Sequence, residues 1–301
     1  MESDQALKRL SIQLLGDFCV SVGSRAIDER EWTSRRARSL VRLLALAPRH
    51  RLHREHVIDR LWPDMSSEDG ANNLHKALYM ARRILEPGLP PRRTSSYLRL
   101  RHDMLLLEAP GGLWIDVEAF LAAARAAHER RTPQAYQEAL RLYTGDLVLE
   151  EHYEDWVIAH RERLSGLRVT LLVELAAVQE QDGDLSAAIE SLQQAVASDP
   201  VHEEAQGLLM RLLVQTGRRH LALRQYQALR AALQRELEVE PDARLQALYQ
   251  DIQGSRYSGP SPHQAPDPLL VDRKAEEWSR AHAWVEPGTL VSVKALMADK
   301  L

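Results

Sequence analysis

Two stretches of the sequence repeat at a fixed offset. GDLSAAIESLQQAVASDP begins at Gly183 and GRRHLALRQYQALRAAL begins at Gly217, 34 residues later. In that alignment Ala188 falls on Ala222 and Leu192 falls on Tyr226. Small residues let two helices approach closely, the large residue fills the gap between pairs, and Pro200 closes the first unit. A period of this size belongs to helix-pair repeats, which bury their apolar faces only against one another. Such a stack cannot seal its own ends, so further helices are expected on both sides as caps.

The flanking sequence supplies them. DVEAFLAAARAAHERR and PQAYQEALRLY read as one antiparallel pair joined near Thr132-Pro133, and a longer helical run follows GDLVLEEHYEDW. Thirty-four residues is the tetratricopeptide period. The match is partial, because the second unit runs on through EVEPDARLQALYQDI rather than stopping at a proline. Beyond Gln253, GSRYSGPSPHQAPDP is rich in Pro, Ser and Gly and reads as a linker. The remaining residues to 301 could hold one helix and a short strand and are assigned to no domain.

The N-terminal third is organised differently. LSIQLLGDFCVSVGSRAI at 10–27 alternates apolar and polar residues with glycines at the turns, the pattern of two or three short antiparallel strands. WTSRRARSLVRLLALAPRH then places Leu40, Leu43, Leu44 and Ala47 at helical spacing, with Thr33 or Ser34 as cap and Pro48 as stop. LHREHVIDRLW forms a second short helix that buries Val57, Ile58 and Leu61. After the loop PDMSSEDG, in which Ser66 and Asp69 approximate a capping box, comes NNLHKALYMARRIL at 72–85. SYLRLRHDMLLLEA reads as a hairpin with Arg101, His102 and Asp103 near its tip. Small sheet, three helices, hairpin is the order of a helix-turn-helix followed by a β wing, and its third helix enters the major groove.

The third helix has two contrasting faces. At about 100° per residue, Leu74, Leu78, Ala81 and Leu85 share one side. Asn72, Lys76, Tyr79 and Arg83 lie nearly opposite, flanked by His75 and Met80, and this face carries no carboxylate. The reading predicts that Asn72, Asn73, Lys76, Tyr79 and Arg83 face base edges. Arginine reads guanine bidentately and asparagine reads adenine, each for roughly 1–3 kcal/mol of discrimination. Thr33, Arg35, Arg36 and Arg38 at the start of the first helix, Arg54 in the second, His75, and Arg99 and Arg101 in the wing are the expected phosphate or minor-groove contacts.

Charge distribution fits this division. The net charge is −4, which alone argues against nucleic acid. Residues 1–110, however, hold 19 Lys and Arg against 14 Asp and Glu, and the remainder 20 against 29. A basic front joined to an acidic back is the asymmetry expected when one part meets nucleic acid.

Little points to catalysis. No GxxxxGK[ST] or HExxH sequence is present. Glu150-Glu151 and Glu154-Asp155 read as solvated helix faces, and His152, Trp156 and His160 as packing within the helical array. Cys19 excludes an internal disulfide and is expected to be a small buried apolar residue of a strand. No enzyme activity, cofactor or metal is expected, and no stretch approaches membrane-spanning length, so a cytoplasmic, nucleoid-associated protein is expected.

LHREHVIDRLWPD at 52–64, the stretch 72–85, SYLRL at 96–100, LWIDVEAF at 113–120 and ELEVEPDARLQALYQDI at 236–252 occur in this order. In them the chain resembles the bacterial SARP-type transcriptional activators over about residues 8–255, with Glu238 where glycine is usual. The resemblance implies a mostly α protein. An OmpR-like α+β winged helix would occupy 1–112, an all-α, tetratricopeptide-like bacterial transcriptional activator domain 113–255, and a linker with an unassigned tail 256–301. It implies an activator that binds promoter direct repeats near the −35 element as a head-to-tail homodimer. Such an activator contacts RNA polymerase holoenzyme, through the sigma factor, with the loop at 62–70, here Trp62, Asp64, Ser66 and Glu68. Larger members continue into an ATPase and sensor region, so the chain is either a small stand-alone member or a truncated form of a large one. The alternative is a tetratricopeptide-type interaction scaffold whose winged helix does not read DNA.

Overall fold

The computed structural model describes residues 8–90, 93–147 and 155–254, with the backbone alone at 155 and 156. The linker and tail expected at 256–301 lie outside the described residues, as do Glu150, Glu151, His152 and Glu154 and the side chains of Asp155 and Trp156. The packing described below belongs to the compact unit that ends at Gln250.

The expected N-terminal strands are β1 (Leu10–Gln13), β2 (Cys19–Val22) and β3 (Arg25–Ile27). They pair antiparallel with Ile12 opposite Val20 and Ser21 opposite Ala26. Alternation buries Leu10, Ile12, Val20 and Val22. Cys19 is one residue out of that phase and is exposed, so its expected burial is corrected.

Helix α1 (Arg35–Leu46) is capped by Ser34, whose Oγ accepts from the Ala37 amide at 3.2 Å. It buries Leu40, Val41, Leu43 and Leu44 and ends before Pro48. The second helix is shorter than expected. Arg51–His53 form a strand, β4, and only Arg54–Leu61 are helical (α2). The reason is distant pairing, because β4 lies antiparallel to the second strand of the wing with Leu52 opposite Leu105.

The third helix, α3, runs from Ser67 to Leu85 with Ser66 as N-cap, five residues longer at its start than the stretch 72–85. Its apolar side is the one expected: Leu74, Leu78, Ala81 and Leu85 are all buried, packed toward α1 and α2. The wing is the hairpin β5 (Leu98–Arg101) and β6 (Met104–Leu107). His102 and Asp103 turn it with φ of 46° and 65°, the doubly left-handed geometry of a two-residue type I′ turn.

The helical part consists of α4 (Asp116–Arg130), α5 (Pro133–Leu142), α6 (Asp155–Gln181), α7 (Leu185–Ser198), α8 (Glu203–Gln215), α9 (Arg219–Glu236) and α10 (Ala243–Gln253). Each helix from α4 to α8 packs on the next. The 34-residue repeat is realised: Gly183 and Gly217 take φ of 82° and 75° to turn α6 into α7 and α8 into α9. Ala188 and Ala222 are completely buried, and Leu192 and Tyr226 fill equivalent places.

A seam that the sequence did not announce joins the two parts. Leu113–Ile115 form a strand, β7, parallel to β1, giving a four-stranded sheet in the order β3-β2-β1-β7. The chain passes straight from β7 into α4 at Asp116, whose buried carboxylate reaches back more than 100 residues. Its Oδ2 accepts from the Leu14 and Leu15 amides, each at 2.8 Å, and its Oδ1 from the Val117 amide at 2.8 Å. Beside it, the Gly16 amide donates to the Asp146 carbonyl at 3.0 Å and the Thr144 hydroxyl to the Leu15 carbonyl at 2.5 Å. Here two backbones touch: a Cβ on Gly145 would stand 2.9 Å from the Gly16 Cα.

Candidate nucleic-acid interface

The outer face of α3 is open. Asn72, His75, Lys76, Tyr79 and Arg83 are exposed, Tyr79 to 62%. Lys76 and Arg83 have no carboxylate partner among the described residues. An exposed phenol between two cations without carboxylate partners is well suited to a polar, anionic surface. Asn73 belongs elsewhere. It is half-buried, and its amide nitrogen lies 2.9 Å from the Met65 sulfur at the end of the α2–α3 loop. The structure thus takes Asn73 off the reading face and makes it a support of the loop.

Two side chains that the sequence reading passed over fix α3 relative to the wing. Arg82 Nε donates to the Leu98 carbonyl of β5 at 2.9 Å, and burial pushes its pKa down, against the pull of Glu86. Glu86 accepts from the Ser95 hydroxyl and from the Ser96 amide at 3.0 Å. At the same end Arg25 Nη2 donates to the Ile84 carbonyl at 2.5 Å while its Nη1 holds Glu31 at 3.0 Å. A cation on the last carbonyls of a helix both satisfies them and suits the helix dipole. Arg82 was visible only as one half of an Arg-Arg pair, and the signal was its phase, one residue from the buried Ala81.

The expected phosphate contacts divide into two groups. Arg101 at the wing tip is exposed with no partner among the described residues, and Thr33 and Arg35 are exposed at the start of α1. The others, and Arg35 as well, already have interactions within the protein. Arg36 lies over the Trp62 ring at 5.9 Å, Arg38 meets Glu29 at 3.3 Å, Arg54 meets Asp103 at 3.1 Å and Arg99 meets Glu108 at 3.5 Å. Apart from Trp62–Arg36, these contacts are partly solvated ion pairs of small net worth, so a phosphate can compete for the arginine.

In the loop expected to meet polymerase, Asp64, Ser66 and Glu68 are exposed. Trp62 is only 6% exposed, and the structure corrects it from a contact to the anchor of the loop. Among the described residues no group of His, Cys, Asp and Glu could hold a metal ion. None of their helices is long and apolar enough to cross a membrane.

Comparison with known proteins gives this architecture a class. Residues 115–253 match the family model of the bacterial transcriptional activator domain. The transcriptional regulator RedD of Streptomyces coelicolor is 28% identical over 222 residues, covering 72% of this chain; the chain spans 63% of that relative's length. Among solved structures, Mycobacterium tuberculosis EmbR, in a complex with a low-affinity phosphopeptide, aligns over 90% of this chain and 71% of its own at a TM-score of 0.69 and 20% identity. That likeness establishes the fold: a winged helix joined to a tetratricopeptide-like helical domain. Residues 115–253 are thus a bacterial transcriptional activator domain, and the class the chain resembles is that of bacterial transcriptional regulators. Within it, the chain resembles the transcriptional activators of the SARP type.

Proposed function

We propose that the chain binds promoter DNA sequence-specifically, with α3 in the major groove and the β5–β6 wing on the neighbouring backbone or minor groove. One observation carries this: the face of α3 turned away from the core presents Asn72, His75, Lys76, Tyr79 and Arg83, and neither Lys76 nor Arg83 is paired with an acid among the described residues. Arg83 suits a bidentate contact to guanine and Asn72 one to adenine. Thr33, Arg35, Arg36, Arg38, Arg54, Arg99 and Arg101 flank the face and supply contacts to phosphate.

On direct repeats two copies would sit head to tail. The α2–α3 loop, with Asp64, Met65 and Ser66 exposed above the buried Trp62, is then the surface offered to RNA polymerase holoenzyme, through its sigma factor.

Titration of the full chain against a duplex from its own upstream region and a scrambled duplex, at two salt concentrations, tests the reading. Tight, salt-sensitive binding that prefers the native sequence is expected. Arg83→Ala should cost about 1–3 kcal/mol on the preferred duplex and relax one base position. Equal, weak binding of both duplexes by wild type and variant would overturn it and leave the helical domain as an interaction scaffold.

A further inference from the structure

We propose that Glu68 reads a base, accepting a hydrogen bond from the exocyclic amino group of a cytosine. The proposal rests on α3 lying in the major groove. Because α3 begins at Ser67, Glu68 stands in its first turn and not in a loop. At about 100° per residue it lies about 20° from His75 on one side and about 20° from Tyr79 on the other, with Asn72 about 40° away. It is therefore within the stripe already assigned to DNA, toward its His75 edge. The N-terminal turns of a recognition helix place side chains at base edges.

Its neighbours have other work. Asp69 closes the cap: its Oδ2 accepts from the Ser66 hydroxyl at 2.7 Å and its amide donates to Ser66 Oγ at 3.2 Å. Gly70 is buried against Ile58. Glu68 is exposed and makes no hydrogen bond or ion pair among the described residues.

A carboxylate on a face that meets DNA is repelled by every phosphate, so it lowers affinity for all sequences alike. It is compensated only where it finds a donor. In the major groove the donors are the amino groups of cytosine and adenine. The adenine amino group is flanked by two acceptors that repel the second carboxylate oxygen, its own N7 and the thymine O4, whereas the cytosine amino group has an acceptor, the guanine O6, on one side only. Glu68 thus selects cytosine by penalising the other bases.

The test is selection from a randomised duplex pool by the full-length wild type, Glu68→Ala and Glu68→Gln, followed by titration of the selected duplexes. The wild type should fix a C·G pair at one position of each repeat. Glu68→Ala should keep the rest of the site, bind unrelated duplexes more tightly, and lose discrimination at that position about tenfold. Glu68→Gln should move the preference there to A, since an amide pairs with the adenine amino group and N7 together. A Glu68→Ala pool identical to the wild-type pool, with transcription reduced, would overturn the proposal and return Glu68 to the polymerase surface. A wild type that enriches no sequence would overturn α3 as a reading helix, and the proposal with it.

Discussion

The seam between the winged helix and the helical domain is polar and closed, whereas the outer face of α3 is polar and open. At the seam, Asp116 accepts from the Leu14, Leu15 and Val117 amides, and Gly16 and Thr144 find their acceptors across the boundary. On α3, Lys76 and Arg83 stand in solvent with no partner among the described residues. The difference teaches which polar residues hold the frame and which are held in reserve. A buried donor left without an acceptor costs about 1–3 kcal/mol, so seam residues can hardly change one at a time. An exposed donor costs the fold nothing and remains available to a ligand.

Asp116→Ala is the most forceful way to break that contrast. It strands three backbone amides in a buried place, and their penalties do not add fully. Burial also pushes the Asp116 carboxyl pKa up, against those same hydrogen bonds, so deleting the charge returns part of the loss. A fall of about 3–5 kcal/mol in unfolding free energy is expected from urea melts of the full chain. A fall below about 1 kcal/mol would mean that the seam is not held by this carboxylate.

Acid should probe the same boundary more gently. His160 of α6 is half-buried, and desolvation followed by the charges of Arg163 and Arg60 holds its pKa at about 4. Arg60 belongs to α2, so the electrostatics of the helical domain include a residue of the winged helix. The folded pKa lies below the unfolded value of about 6.5, and the unfolded chain therefore takes up the proton first. This contribution is complete above pH 6.5 and is lost as pH falls toward 4, to a total of about 3 kcal/mol at most. Urea midpoints at pH 7 and 4.5 should converge in His160→Gln relative to wild type. Equal pH sensitivity in both would place the acid response elsewhere.

What could be seen in the sequence followed from periodicity. The apolar stripe of α3, the capped α1 and the 34-residue repeat are signals carried by neighbours within a turn or two. Long-range features were not legible. Strands β4 and β7 have three residues each, too few to show alternation, and exist because β6 and β1 lie beside them. The first turn of α3 reads SEDG, with no apolar side chain to mark it as helix, so Glu68 looked like loop. Trp62 looked like a surface contact because burial under Arg36 needs α1 in place. Glu238 shows the reverse, a family habit explained afterwards: its φ is 58°, a left-handed conformation in which glycine is the unstrained residue.

The smallest effect on stability should come from the residues most exposed to the proposed ligand. Lys76→Ala and Arg101→Ala remove side chains with no partner among the described residues, so each should leave the unfolding free energy within about 0.5 kcal/mol of wild type. The effect should appear only when DNA is added. If Arg101 holds one phosphate, its loss lowers the slope of log affinity against log salt by about one and weakens all sequences alike. Lys76, facing base edges, should alter preference as well as affinity. A stability loss comparable to that of Asp116→Ala would show these cations acting within the protein, and the distinction between frame and reading face would then fail at its open end.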